Sequence, residues 1–152
     1  MKTRANNRAL QTIGAFALMS CLFGCDQKPR VISTANAPKP VGPYVQAIVA
    51  KGTVYGAGQL GINPATGRIE ATTADGQMEQ ALTNMFAVLK AAGSDPCKVT
   101  KLTVYFKNLD DLEKVNKVYE QKMGPCKPGR AAIEAARLPL DALIEIDYIA
   151  VE

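Results

Sequence analysis

Apolar side chains recur every three to four positions along residues 76–92, where Met78, Ala81, Leu82, Met85, Phe86 and Leu89 fall on one helical stripe. Asp75 is placed to cap the start of this helix and Gly93 to end it. A second stripe, Leu112, Val115, Val118 and Tyr119, predicts a helix over 111–123. A capping box between Asp110 and Glu113 would start it and Gly124 would stop it. Elsewhere the period drops to two. Leu102, Val104 and Phe106 alternate with Lys101, Thr103 and Tyr105, which predicts a strand over 99–106. Residues 45–50 and 53–57 are short apolar runs separated by Lys51-Gly52, a hairpin signal. Residues 130–152 read as two further strands joined by the Pro-bearing connection RLPLDA.

Side chains of a strand alternate between faces. In the first of these last strands Arg130, Ala132 and Glu134 share one side, with Ala131 and Ile133 on the other. In the second, Ile144, Ile146 and Tyr148 lie opposite Glu145 and Asp147. The expected sheet has one apolar face for the helices and one face carrying an Arg and acids among small residues. That second face has room for a ligand; it reads equally well as a solvated surface with incidental charges.

The predicted order is β-β-(β)-α-β-α-β-β, an α+β class in which two helices cover one face of one mixed sheet. Right-handed crossovers place the helices side by side and parallel. The other face stays uncovered, which predicts oligomerisation. The methionines of the first helix read as core filler. Residues 34–44, TANAPKPVGPY, are extended and Pro/Gly-punctuated. Gly56, Gly58 and Gly61 within GAGQLGINPATG predict close backbone approach or a bulge, and residues 63–67 a turn. The stretch has no GxxxxGK[ST] pattern and is no phosphate loop.

Composition narrows the chemistry. A chain of 152 residues, 47% hydrophobic and 21% charged, suits a single folded domain. It has no His and no Trp, so acid–base chemistry falls to Arg, Glu, Asp, Tyr, Cys or backbone groups. Residues 1–24 read as a signal peptide, with Lys2, Arg4 and Arg8 ahead of an apolar run too short to span a membrane comfortably. Leu22-Phe23-Gly24-Cys25 resembles a bacterial lipobox, although Phe23 is atypical at its place; Leu18-Met19-Ser20-Cys21 competes. Cys25 is the preferred lipidation site because Gly24 suits the position before it and a polar tail follows at once. Residues 25–33 are then a tether, and the expected location is the periplasm, anchored by N-terminal lipid alone. Asp26 after the lipidated residue favours the inner over the outer membrane by analogy. The leader holds three of the 18 basic residues and none of the 14 acids, so the rest of the chain carries a net charge of only +1. The overall +4 is therefore no argument for nucleic-acid binding. With Cys21 and Cys25 accounted for, Cys97 and Cys126 remain. Each follows the end of a predicted helix, at one edge of the sheet, and export permits oxidation. A disulfide between them is expected; unpaired thiols or an intermolecular link are the alternatives.

Four stretches together carry a family resemblance: STANAPKPVGPY at 33–44, GQLGINPATG at 58–67, VTKLTVYFKNLDDLEKVNKVYE at 99–120 and GRAAIEAARLPLDALIEIDYIAV at 129–151. In this order they resemble the RidA (YjgF-type) reactive-intermediate deaminases over nearly all of 33–152. The resemblance implies a chorismate-mutase-like fold and a homotrimer whose three sheets meet in a barrel, with a pocket at each subunit junction. It implies hydrolysis of imines and enamines of 2-amino acids to 2-oxo acids and ammonia, with no cofactor and no metal. By the same resemblance Arg130 holds the substrate carboxylate and Glu145 places the attacking water. Tyr44, Gly58 and Asn116 line the pocket. Two positions depart: Ala57 stands where the family often has Ser, and Ala132 where it often has Cys or a similar residue. The segment MGPCKPGR before the Arg is also altered. These departures keep open a non-catalytic protein that binds small carboxylates or amino-acid-like ligands. From spacing alone Glu145 reads first as a structural ion-pair partner within the trimer; with the motif it reads as the site residue.

Overall fold

A computed structural model describes residues 28–152. The expected signal peptide, Cys21 and the expected lipidation site Cys25 lie outside the described residues. One six-stranded mixed sheet forms the frame: β1 (Arg30–Ile32), β2 (Ala47–Ala50), β3 (Thr53–Leu60), β6 (Val99–Phe106), β7 (Gly129–Glu134) and β8 (Ile144–Val151). Its spatial order is β1-β2-β3-β8-β6-β7. Two short strands, β4 (Ile62–Asn63) and β5 (Arg68–Ile69), pair separately around the turn at 63–67. Two helices, α1 (Ala74–Ala92) and α2 (Leu112–Met123), cover one face of the large sheet. This is the α+β class expected from the period changes.

The core lies between helices and sheet. Met78, Leu82, Met85 and Leu89 of α1 and Val115 of α2 pack on Leu102, Val104, Phe106, Ile144, Ile146 and Tyr148. The α1 stripe is as expected, but its cap is Thr73, whose hydroxyl accepts from the Gly76 N–H; Asp75 sits in the first turn instead. Gly93 closes the helix in the left-handed conformation. No capping box starts α2. A 3₁₀ turn, Leu109–Asp111, precedes it, and Asn108 caps that turn by accepting from the Asp110 N–H.

Arg30–Ile32, read from the sequence as tether, form an edge strand. Ile32 is buried, and Arg30 bonds both the Ala92 carbonyl and the Glu152 carboxylate. A charged, Pro-flanked tripeptide carries no periodicity, so these distant partners were invisible locally. Lys51 and Gly52, both at positive φ (50° and 73°), make the tight turn between β2 and β3.

The last two strands are not neighbours. β6 lies between them, parallel to β7 and antiparallel to β8. This corrects the expected sharing of faces. Arg130 pairs with Leu102 and Ala132 with Val104, so Arg130, Ala132 and Glu134 lie on the helix side. Glu145 and Asp147 lie on the open side with Thr103 and Tyr105. Alternation within each strand was legible; the relation between two strands separated by a third was not.

Candidate active site

Glu145 enters its place through contacts made by α1. The Gln77 side chain accepts from the Leu143 N–H at 2.8 Å and donates to the Ala71 carbonyl at 3.0 Å, tying the start of β8 to the helix. Two turns on, the buried Asn84 amide donates to the Leu60 and Ile62 carbonyls at 3.0 and 2.8 Å. That holds the end of β3, where the register against β8 slips between Gly56 and Gln59. Gly58 falls in this irregular stretch. A β-carbon at Gly58 would stand 2.0 Å from Glu145 Oε1. The missing side chain therefore makes the notch that the carboxylate occupies.

Burial pushes the Glu145 carboxyl above its ordinary value, and the like charge of Asp147 adds to the shift. Asp147 already has a partner: Tyr105, directly across from Glu145 in the register, donates its hydroxyl to Asp147 Oδ2 at 2.9 Å. Glu145 itself has no hydrogen-bond donor among the described residues.

A shallow cleft beside this notch is lined by Pro38, Lys39, Tyr44, Gln46, Gly58 and Leu60. Its rim is the loop 34–44, and Gln46 organises that loop from beneath. The buried Gln46 amide accepts from the Thr34 N–H at 2.7 Å and donates to the Thr34 and Pro38 carbonyls at 3.1 and 2.8 Å. Tyr44 is about half exposed at the rim, its hydroxyl accepting from the Val41 N–H. Ala57 is tied to the same frame, its N–H donating to the Gln46 carbonyl at 3.0 Å. Sequence reading missed Gln46, Gln77 and Asn84. A buried amide inside an apolar run is the signal that points to such residues.

Arg130 is built from the other side. It is half-buried on the edge strand β7, and two residues of α2 hold it. Its Nη2 donates to Asn116 Oδ1 at 2.7 Å, and its guanidinium carbon lies 4.7 Å from the centre of the Tyr119 ring. No acid pairs with it among the described residues. Ala132 is two positions on along the same side of β7. Cys97 and Cys126 are joined in a disulfide, Cα to Cα 4.6 Å, linking the turn before β6 to the loop that leads into Arg130.

The expected residues thus form two groups. Tyr44, Ala57, Gly58 and Glu145 gather on β3, β8 and the loop 34–44, while Asn116, Arg130 and Ala132 gather on α2 and β7. Glu145 lies two strands and three residues from Arg130 by the register, roughly 14 Å between Cα atoms and on the opposite face. The two groups do not meet within one chain. No cluster of three His, Cys, Asp or Glu side chains that could hold a metal ion is found among the described residues.

The sequence model of the endoribonuclease L-PSP family matches residues 34–152. A RutC family protein of Pyrococcus horikoshii is 49% identical over 120 residues, 79% of this chain and 95% of its own. A 2-iminobutanoate/2-iminopropanoate deaminase of Capra hircus is 44% identical over 123 residues, 81% of this chain and 90% of its own. Among solved structures, E. coli TdcF with bound serine superposes with a TM-score of 0.77 at 36% identity, covering 81% of this chain and 98% of TdcF.

Proposed function

Because this chain belongs to the RidA family, the group matched by the endoribonuclease L-PSP model, we propose that it hydrolyses imines and enamines of 2-amino acids to 2-oxo acids and ammonia. Arg130 carries the reading. A half-buried guanidinium held in place by α2, with no acid among the described residues to neutralise it, is a seat for a carboxylate. It meets such a group with two parallel hydrogen bonds, which Lys cannot reproduce.

Glu145 supplies the other half. Its unbonded carboxylate, in the notch at Gly58, orients a water and takes its proton as the oxygen attacks the imine carbon. The C=N bond becomes a C–N single bond in a carbinolamine. On a protonated imine, Glu145 then gives that proton to the nitrogen and takes the hydroxyl proton as the C–N bond breaks, so that a C=O remains and the departing ammonia carries the last proton away as ammonium. The raised Glu145 pKa brings it closer to working pH and suits it to both transfers.

Since the two groups lie on opposite faces of one chain, the site requires a second copy. The reading therefore includes a homotrimer with a pocket at each junction. The open sheet face supports it: Tyr55, Ile133, Ile149 and Val151 are 51, 45, 37 and 44% exposed there. The reading also includes an exported protein lipidated at Cys25. The Cys97–Cys126 disulfide supports export, because such bonds persist in oxidising compartments.

A coupled assay for ammonia released from freshly generated 2-imino acids tests the activity. Release above the uncatalysed rate is expected, abolished in Arg130→Ala. Saturable binding of 2-oxo acids without any release would replace the enzyme with a carboxylate-binding protein.

A further inference from the structure

We propose that Tyr119 is a positioning residue for the Arg130 guanidinium, and that its ring, not its hydroxyl, sets the preference of the site for a carboxylate. The proposal rests on Arg130 being the carboxylate holder. Asn116 and Tyr119 are three residues apart on α2, so one helix face presents both toward β7. Asn116 accepts one of the five guanidinium N–H groups, and the Tyr119 ring lies beneath the guanidinium carbon at 4.7 Å, inside cation–π range. Four donors remain for a ligand.

The choice of residue matters chemically. An acid at position 119 would hold Arg130 as firmly but would neutralise it, and an incoming carboxylate would then have to displace that acid. A π face attracts the cation without carrying charge. Tyr119 also stays neutral: burial raises its phenol pKa, a shift that nearby Arg130 only partly opposes. The phenol oxygen is buried and has no partner among the described residues. It holds nothing in place, while the ring packs against the core and is fixed there. The structure thus separates the two parts of the side chain.

The experiment compares wild type, Tyr119→Phe, Tyr119→Leu and Arg130→Ala. It measures kcat and KM for imine hydrolysis, and dissociation constants for 2-oxobutanoate and for its neutral amide. Tyr119→Leu is expected to raise KM and the 2-oxobutanoate dissociation constant about 3- to 30-fold. Its kcat should stay within about twofold and its amide affinity should not change. Tyr119→Phe should restore the wild-type values. The acid-to-amide ratio is taken within each variant, so a partly unfolded population cancels. Equal losses for acid and amide in Tyr119→Leu, or a Phe variant as impaired as Leu, would overturn the proposal. If Arg130→Ala loses the acid while Tyr119→Leu keeps it, the positioning role alone fails. If Arg130→Ala also keeps it, the carboxylate seat itself fails, and the proposal with it.

Discussion

At the scale of single residues, the site turns on what Gly58 lacks. A methyl group there would collide with Glu145 Oε1, so Gly58→Ala must push the carboxylate out of its notch. The expected result is a fall in kcat/KM of about 10²-fold, the usual cost of roughly 1 Å of misplacement. The strand, held by its own ladder, should keep its melting temperature within a few degrees. Glu145 also ties activity to pH. As the proposed base it must be ionised, so the acid limb of the kcat/KM profile should lie above the ordinary carboxylate range, and Asp147→Asn should move that limb to lower pH. Stability runs the other way. With its folded pKa raised, Glu145 contributes no penalty below its ordinary pKa of 4.5, where both states are protonated. It destabilises the fold as pH rises through the folded value. Glu145→Gln should therefore abolish turnover and raise the melting temperature at neutral pH, as measured by paired assays and thermal scans. The sequence motif pointed to Glu145. The reason for Gly58 was hidden, because it lies in the irregular pairing of β3 and β8, strands more than 80 residues apart in the chain.

At the scale of elements, the disulfide and β7 belong together. The bridge closes a loop of 29 residues that contains β6 and α2, and its far end lies four residues before Arg130. In the chain-entropy picture such a loop stabilises by about 3.6 kcal/mol, an upper figure. A Cys97→Ser/Cys126→Ser variant should lose up to that amount in denaturant titration. Its KM for an anionic imine should rise more than its kcat falls, because the loop that leads into Arg130 loses its pin. The disulfide could be anticipated because both thiols follow helix ends whose stops, Gly93 and Gly124, are plain in the sequence. Strand order could not. The pattern of 129–151 gives two strands with correct internal alternation but holds no record that β6 lies between them. That insertion is what turns Arg130 to the helix side and leaves Glu145 on the open one.

At the scale of the whole molecule, the separation of Arg130 and Glu145 becomes a prediction about assembly. If each pocket takes Glu145 from one subunit and Arg130 from its neighbour, a subunit with either substitution still carries one good half. Arg130→Ala keeps its Glu145, and Glu145→Gln keeps its Arg130. Homotrimers of either variant should be inactive. Equal amounts of the two, unfolded and refolded together so that subunits mix at random, should regain about a quarter of wild-type ammonia release, because a junction is intact when the Glu donor is the first type and the Arg donor the second. Mixing without refolding should restore little if the trimers exchange slowly. Ile149→Glu supplies the matching physical control. It places a charge on the exposed apolar face, where light scattering should show monomers. Those monomers should be inactive with Arg130 and Glu145 both unaltered. A mixed population that scatters as trimers but never regains activity would mean that both residues of a pocket come from one subunit. The roughly 14 Å and the intervening sheet between them would then have to be closed by rearrangement within a single chain.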